Sequence, residues 1–265
     1  MSSDTAVEDV LDLVAARIDV LTRLDGDRLR KRDLVDELDC SRSTVNRATA
    51  RLADAGLIDD TPRGCRTTFL GSLLADRYRD YVGTVGDVVR AREVLAPLPA
   101  DADLPAFVLA DAVVATPGSP SPYEPYHAVE AVLERPGPEG RVRVYVPAFS
   151  NPHGLDLARG LASEVPVEIV FGEELLAALQ SDFPGEMAAL RKLELFSGYR
   201  TDEGPTYTLV VADSGSRTEG IVVTHTEDRN LGGTIVTRDP DAVRWIERRY
   251  LDVRSASEPL ETADA

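Results

Sequence analysis

The chain has little cysteine, almost no lysine and no long apolar run. Two cysteines in 265 residues exclude a disulfide scaffold and a four-cysteine zinc site. No apolar stretch reaches the roughly 18 residues that span a bilayer, and Met1 to Glu8 is acidic rather than the basic-then-apolar start of a signal peptide. A cytoplasmic chain with no membrane partner is therefore expected. Lys31 and Lys192 are the two lysines, so 27 of the 29 basic residues are arginine, set against 46 Asp and Glu for a net charge of −17. Internal repeats and low-complexity tracts are missing as well.

What is present is a foldable composition, 43% hydrophobic and 28% charged, long enough for two domains. Acid-rich, lysine-poor, arginine-using chains resemble those of salt-loving archaea, where hydrated carboxylates keep a protein soluble in brine. In such a host a large negative charge does not exclude a nucleic-acid partner. Residues 95–152 hold 11 of the 17 prolines, beginning at Ala96 to Pro105, which reads as a semi-stiff linker and sets domains at 1–94 and 95–265. The first carries 15 basic and 18 acidic residues, net −3; the second carries 14 and 28, net −14. Residues 28–66, with nine basic and seven acidic side chains, form the locally positive stretch. Ser255 to Ala265 reads as a frayed acidic tail.

Val7, Val10, Leu11, Val14, Ile18 and Leu21 recur at helical spacing and predict one amphipathic helix over 6–23. A second helix over 31–38 buries Leu34 and Leu38. After the turn Asp39-Cys40-Ser41, Ser41 suits the N-cap of a third helix from Arg42 to about Asp54. There Val45, Ala48 and Leu52 share one face, and Arg42, Ser43, Asn46, Arg47 and Arg51 the other. Leu57–Asp60 and Cys65–Phe69 around Thr61–Gly64 read as a hairpin with Pro62 and Gly64 at its tip. A long helix over 70–93 then carries Leu73, Leu74, Tyr78, Tyr81, Val82 and Val85 along one side, a stripe suited to dimerisation or to packing on the first helix.

Residues 31–69, in particular Arg42-Ser43-Thr44-Val45 and Leu52-x-x-x-Gly56-Leu57-Ile58, resemble the winged helix-turn-helix of archaeal transcriptional regulators. The layout of the whole chain is similar to haloarchaeal members of the TrmB-like and methanogen-regulator-like families, which join such a domain to a C-terminal effector domain. The resemblance implies that Ser43, Asn46 and Arg47 face bases. It also implies that Arg42, Arg51, Arg63 and Arg66 hold phosphates, and that Lys31 and Arg32, with Arg30, touch the backbone. Ser41 and Thr44 complete the helix start. The implied partners are double-stranded DNA and a second copy of the chain; no cofactor and no metal is implied. A protein-interaction adaptor that docks through its winged helix is the alternative.

In 95–265, strand-like segments (112–116, 141–146, 165–170, 193–196, 206–212, 220–224, 233–237) alternate with helices over 123–134, 154–163, 173–180, 184–192 and 240–250. The fold class is α+β: a winged helix followed by a mixed α/β sensor domain. Such sheets bind ligands at the C-terminal ends of their strands. The loop carrying Ser150, Asn151 and His153 leads into a helix N-terminus, and Asp213 and His225 occupy other strand ends. Tyr123 and His127 begin a helix that could line the same cleft. A small anionic or sugar-like metabolite fits such a site; ordinary loop capping is the alternative. The layout also resembles a phospholipase-D-like domain, but His127, His153 and His225 each lack the lysine two residues on that its catalytic form requires. Gly-x-Ser-x-Gly, His-Glu-x-x-His and Walker patterns are missing too, so no enzyme is expected. Cys40 and Cys65 both lie in the winged helix, as inert thiols or as a redox switch at the helix start.

Overall fold

The first apolar run folds as two helices, not one. In the computed structural model, which describes residues 3–118, 121, 123–134, 139–148 and 153–260, α1 (Ser3–Ala16) gives way at Arg17 to α2 (Ile18–Arg23). Arg17 leaves the helical region at φ −136°, and its N–H bonds the carbonyl of Val14, three residues back, at 3.1 Å. That tightened turn re-aims α2, and Val20, Leu21 and Leu24 bury beside Leu13 and Val14. The chain forms two compact units, Met1–Val85 and Gly86–Ala265.

In the first unit, α3 (Lys31–Glu37) and α4 (Arg42–Asp54) are separated by Asp39 at φ +44°, a left-handed turn residue that Asp tolerates. Strands β1 (Ile58–Thr61) and β2 (Gly64–Thr67) pair antiparallel around Pro62 and Arg63. Leu29 adds a third rung, exchanging backbone bonds of 2.9 and 2.8 Å with Cys65. Gly64 is required here: at φ +124° its missing Cβ would lie 2.6 Å from the Leu29 carbonyl oxygen. Helix α5 (Phe69–Arg90) follows, buried at Gly71 and Ala75.

The proline-rich stretch is not a free linker. Proline forbids a regular helix but not burial. α6 (Arg92–Leu95) and the 3₁₀ turn Ala106–Leu109 bury Val94, Val108 and Leu109 in the second unit's core, with Leu95, Leu98 and Leu104 packed against it. The elements that follow are β3 (Val113–Ala115), α7 (Glu124–Leu133), β4 (Arg141–Val146), α8 (His153–Ala162), β5 (Val167–Gly172), α9 (Glu173–Asp182), α10 (Pro184–Arg191), β6 (Phe196–Thr201), β7 (Thr208–Asp213), β8 (Thr218–His225), β9 (Leu231–Thr237), α11 (Pro240–Ser255) and β10 (Glu258–Pro259). The strand expected at 193–196 thus begins where that range ends.

These strands make one sheet in the order β10-β6-β5-β4-β7-β8-β9-β3. β4, β5 and β6 run parallel, and β7, β8, β9 and β3 continue as an antiparallel meander. Alternation along the strands sorts side chains to two faces. Val142, Val146, Ile169, Val210 and Val223 pack under α7 to α10; Tyr145, Val170, Leu209, Val211 and Val222 pack under α6 and α11. The expected acidic tail is partly structured: α11 runs to Ser255 and β10 pairs with β6, because Leu260 donates its N–H to the Gly198 carbonyl at 2.9 Å. Among the described residues no helix is long and apolar enough to cross a membrane.

Candidate nucleic-acid interface and ligand cavity

Helix α4 presents a polar face because its apolar residues are spent on the core: Val45, Ala48, Thr49 and Leu52 are buried. Thr49 is tolerated there by donating its hydroxyl to the Val45 carbonyl at 3.0 Å. Ser41 caps the helix, accepting the Thr44 N–H at 3.1 Å. The Ser41 hydroxyl also meets those of Ser43 and Thr44 at 2.9 and 2.8 Å. Ser41 and Thr44 are thus engaged in building the helix start. Arg42, Ser43, Asn46, Arg47 and Arg51 are exposed, and Arg47 reaches back to the Ser43 carbonyl at 3.4 Å.

At the hairpin tip Arg63 is exposed. Arg42, Arg51 and Arg63 have no ion-pair partner among the described residues. Three other expected phosphate ligands do have partners: Lys31 with Asp60 at 2.6 Å, Arg66 with Asp59 at 3.2 Å and Arg32 with Asp33 at 3.3 Å. Such exposed pairs are worth about 0–1 kcal/mol and exchange readily for a phosphate. The Lys31 ammonium holds the Asp60 carboxyl below the usual carboxylate range. Arg28, not singled out from the sequence, donates to the Thr61 hydroxyl and the Gly64 carbonyl, both at 2.8 Å. It ties the strand before α3 to the hairpin; its place in the positive stretch was the available signal. Cys65 is buried beside Asp60, and burial pushes its thiol up to about 11, so it is not a ready nucleophile. Cys40 is partly exposed and unpaired with it.

Of the expected ligand residues that the structure describes, Asp213 and His225 are not brought together. Ser150 and Asn151 lie outside the described residues, as does the side chain of His153, whose backbone opens α8. Tyr123 and His127 are exposed. Asp213 and His225 belong to opposite ends of the sheet: Asp213 pairs with Arg141, where β4 begins, while Tyr145, near the end of β4, pairs with Leu209. The reason is that β7 runs antiparallel to both β4 and β8, so the end of β7 lies at the far edge from the ends of both. There Asp213 accepts the Gly215 N–H at 2.8 Å and closes the β7–β8 turn.

His225 instead lines a cavity of about 140 Å³ beneath α7 and α8. Valines 142, 144, 146, 167, 210 and 223, with Ile169, Leu157, Leu161, Leu133 and Leu231, make most of its wall. Among the described residues its polar side chains are Tyr126 and Glu130 from α7, Thr208 and His225. His225 Nε2 and the Thr208 hydroxyl are 2.9 Å apart. Nδ1 is buried with no partner among the described residues, and burial holds the imidazole neutral, pushed down to about 4. Thr208 was not among the expected site residues; it shares the strand read over 206–212 with the hydroxyls of Thr206 and Tyr207, so nothing local marked it out. Among the described residues no cluster of His, Cys, Asp or Glu is placed to hold a metal ion.

Residues 6–90 match the HVO_A0261 N-terminal domain, and residues 122–256 match the middle domain of the methanogenesis regulatory protein FilR1. No curated protein matches the chain. Among solved structures the chain is similar to TrmBL2, an archaeal chromatin protein whose structure shows a novel mode of DNA binding. That pair shares 14% identity, covering 98% of this chain and 100% of the other, with a TM-score of 0.44. It is also similar to Nuc from Salmonella typhimurium, a phospholipase D family member (12% identity, 57% of this chain and 98% of the other, TM-score 0.41). A third likeness is to polyphosphate kinase from Porphyromonas gingivalis (14% identity, 63% of this chain and 26% of the other, TM-score 0.39).

Proposed function

Because the chain belongs to the family of the methanogenesis regulatory protein FilR1, whose middle domain matches just over half of it, we propose that it is a transcriptional regulator of a salt-loving archaeal host. It reads an operator in double-stranded DNA as a homodimer, and its second unit senses a small ligand. The observation that carries the DNA reading is the exposed face of α4, with Arg42, Asn46, Arg47 and Arg51 outward and Arg42 and Arg51 unclaimed by carboxylates among the described residues. A helix N-terminal face of this kind fits the major groove. Arginine there bonds guanine in two places and asparagine bonds adenine. Arg63, and Arg66 once released from Asp59, hold the flanking phosphates.

The dimer reading rests on α5. Leu70, Leu73, Tyr81 and Val85 fall within one sector of about 120° at helical spacing, and all four are exposed, Tyr81 at 65%. An apolar stripe left in water is a seam awaiting its partner. A second copy supplies an identical stripe and the twofold symmetry that winged-helix operators mirror. No catalytic step is assigned, since the His-x-Lys pattern of the phospholipase-D-like layout is missing at all three histidines.

The test is immunoprecipitation of the chain with its genomic DNA beside the Asn46→Ala and Arg47→Ala variants. We expect peaks sharing an inverted repeat, with each variant losing roughly 1–3 kcal/mol of discrimination at one base position. Absence of peaks, with a protein partner retained by both variants, would establish the adaptor instead.

A further inference from the structure

The cavity under α7 and α8 has a chemistry of its own. Its wall is almost wholly aliphatic, drawn from β4, β5, β7, β8 and the two covering helices. Among the described residues its lining contains no lysine or arginine, and it does contain Glu130. An anion placed against this aliphatic wall would lose its hydration and gain no cation from the described lining, which gives the anionic metabolite expected from loop polarity no seat. A sugar fails for a related reason. It brings several hydroxyls, each needing a partner, to a wall whose polar side chains are Tyr126, Glu130, Thr208 and His225. The volume, about 140 Å³, matches the scale of an engineered apolar cavity of roughly 150 Å³ that stays dry and takes up benzene.

Thr208 and His225 add one polar position. Thr208 pairs with Val223, and His225 lies two residues further along β8, so the two side chains meet at the same end of the sheet. Their mutual bond uses Nε2 and leaves Nδ1 buried without a partner among the described residues. A buried imidazole nitrogen left unpaired is a standing cost that a ligand can remove.

We propose that this cavity binds a small uncharged molecule of phenol size, an aromatic or alicyclic body with a single hydroxyl or carbonyl that bonds His225. This deepens the reading of the second unit as a sensor and rests on it. The aliphatic wall selects the body, and the imidazole, donor or acceptor according to tautomer, selects the single polar group.

The experiment is calorimetric titration of the full chain with phenol, benzene, cyclohexanol, benzoate and glucose, repeated on His225→Leu and Ala158→Phe. Ala158 lines the cavity from α8, and the larger ring fills the space. We expect phenol and cyclohexanol to bind with one site per chain, and Ala158→Phe to abolish both. His225→Leu should weaken phenol about tenfold, one hydrogen bond's worth, while changing benzene less than twofold. Melting curves of both variants check that they fold. Binding of glucose or benzoate, or no binding of phenol and cyclohexanol by the folded wild-type chain, overturns the proposal. The sensor reading fails separately, if every compound that binds leaves the affinity for the immunoprecipitated DNA unchanged.

Discussion

In Met1–Val85 the polar side chains that could meet a partner point outward, on the face of α4 and, with Arg63, at the hairpin tip. In Gly86–Ala265 several charged and phenolic groups are drawn partly inward and paired with one another. Tyr250 donates to Glu168 at 2.6 Å, and Arg254 pairs with the same carboxylate while stacking on Tyr199. Asp103, from the proline-rich stretch, accepts the Tyr207 hydroxyl at 2.6 Å and pairs with Arg249 at 2.8 Å. Burial raises the Tyr207 and Tyr250 hydroxyls well above their ordinary range, and each hydrogen bond to a carboxylate adds to it. The difference matches the net charges of the two halves. On the proposed reading, arginines that meet phosphates must stay near the surface and exchange their carboxylate partners, whereas polar groups inside a sheet domain are best paired with one another.

The sharpest way to break the first unit without touching its outer face is at Gly71. Its missing Cβ would lie 1.9 Å from the Leu57 carbonyl oxygen, a backbone atom that cannot swing away. Gly71→Ala should therefore push α5 off the base of the hairpin and cost on the order of 4 kcal/mol, at the upper end for overpacking. In scanning calorimetry we expect the transition belonging to the first unit to drop and that of the second unit to stay. A single transition falling as a whole would show that the units unfold together.

The second unit is addressed by pH. Burial lowers the His225 imidazole to about 4 from an unfolded value near 6.5, so the unfolded chain binds the proton first as pH falls. Stability from neutral His225 is fully present above about 6.5 and is lost as pH drops toward 4, by about 3 kcal/mol at most. Glu130 and Tyr126 are the other titratable groups in the lining. Denaturant unfolding between pH 7 and 4.5, compared with His225→Leu, isolates the contribution. Equal slopes in the two proteins would mean that the imidazole is wet.

Local pattern made much of this legible. The split of α4 into Val45, Ala48 and Leu52 against Arg42, Asn46 and Arg47 follows from 3.6-residue spacing, and Pro62 and Gly64 announced the hairpin. What depends on distant pairing was not legible. Asp213 and His225 both end strands, yet β7 and β8 pair antiparallel, which puts those two ends at opposite edges, and only that of His225 lies where β4 ends. Pro97, Pro99 and Pro105 correctly excluded a helix, but no local rule says that Leu98 and Leu104 find a sheet face to pack on. The cavity was hidden for the same reason: six valines on four strands become one wall only when the register is known.

The smallest effect returns to the outer face. Arg66 Nε lies 3.2 Å from Asp59 across the β1–β2 pair, and both side chains are about half exposed. To hold a phosphate, Arg66 must leave that carboxylate, and Asp59 then sits as a negative charge beside DNA. Asp59→Asn removes both handicaps and keeps a polar side chain of the same size. We expect DNA binding to strengthen by roughly 0.5–1 kcal/mol, within the range of exposed ion pairs. The gain should fade as salt rises and screening shortens to about 10 Å or less. Fluorescence anisotropy with the immunoprecipitated fragment, run across a salt series, measures it. Weaker binding in Asp59→Asn would place the hairpin away from the phosphates, and the outward arginines of the first unit would then divide into readers on α4 and bystanders on the hairpin.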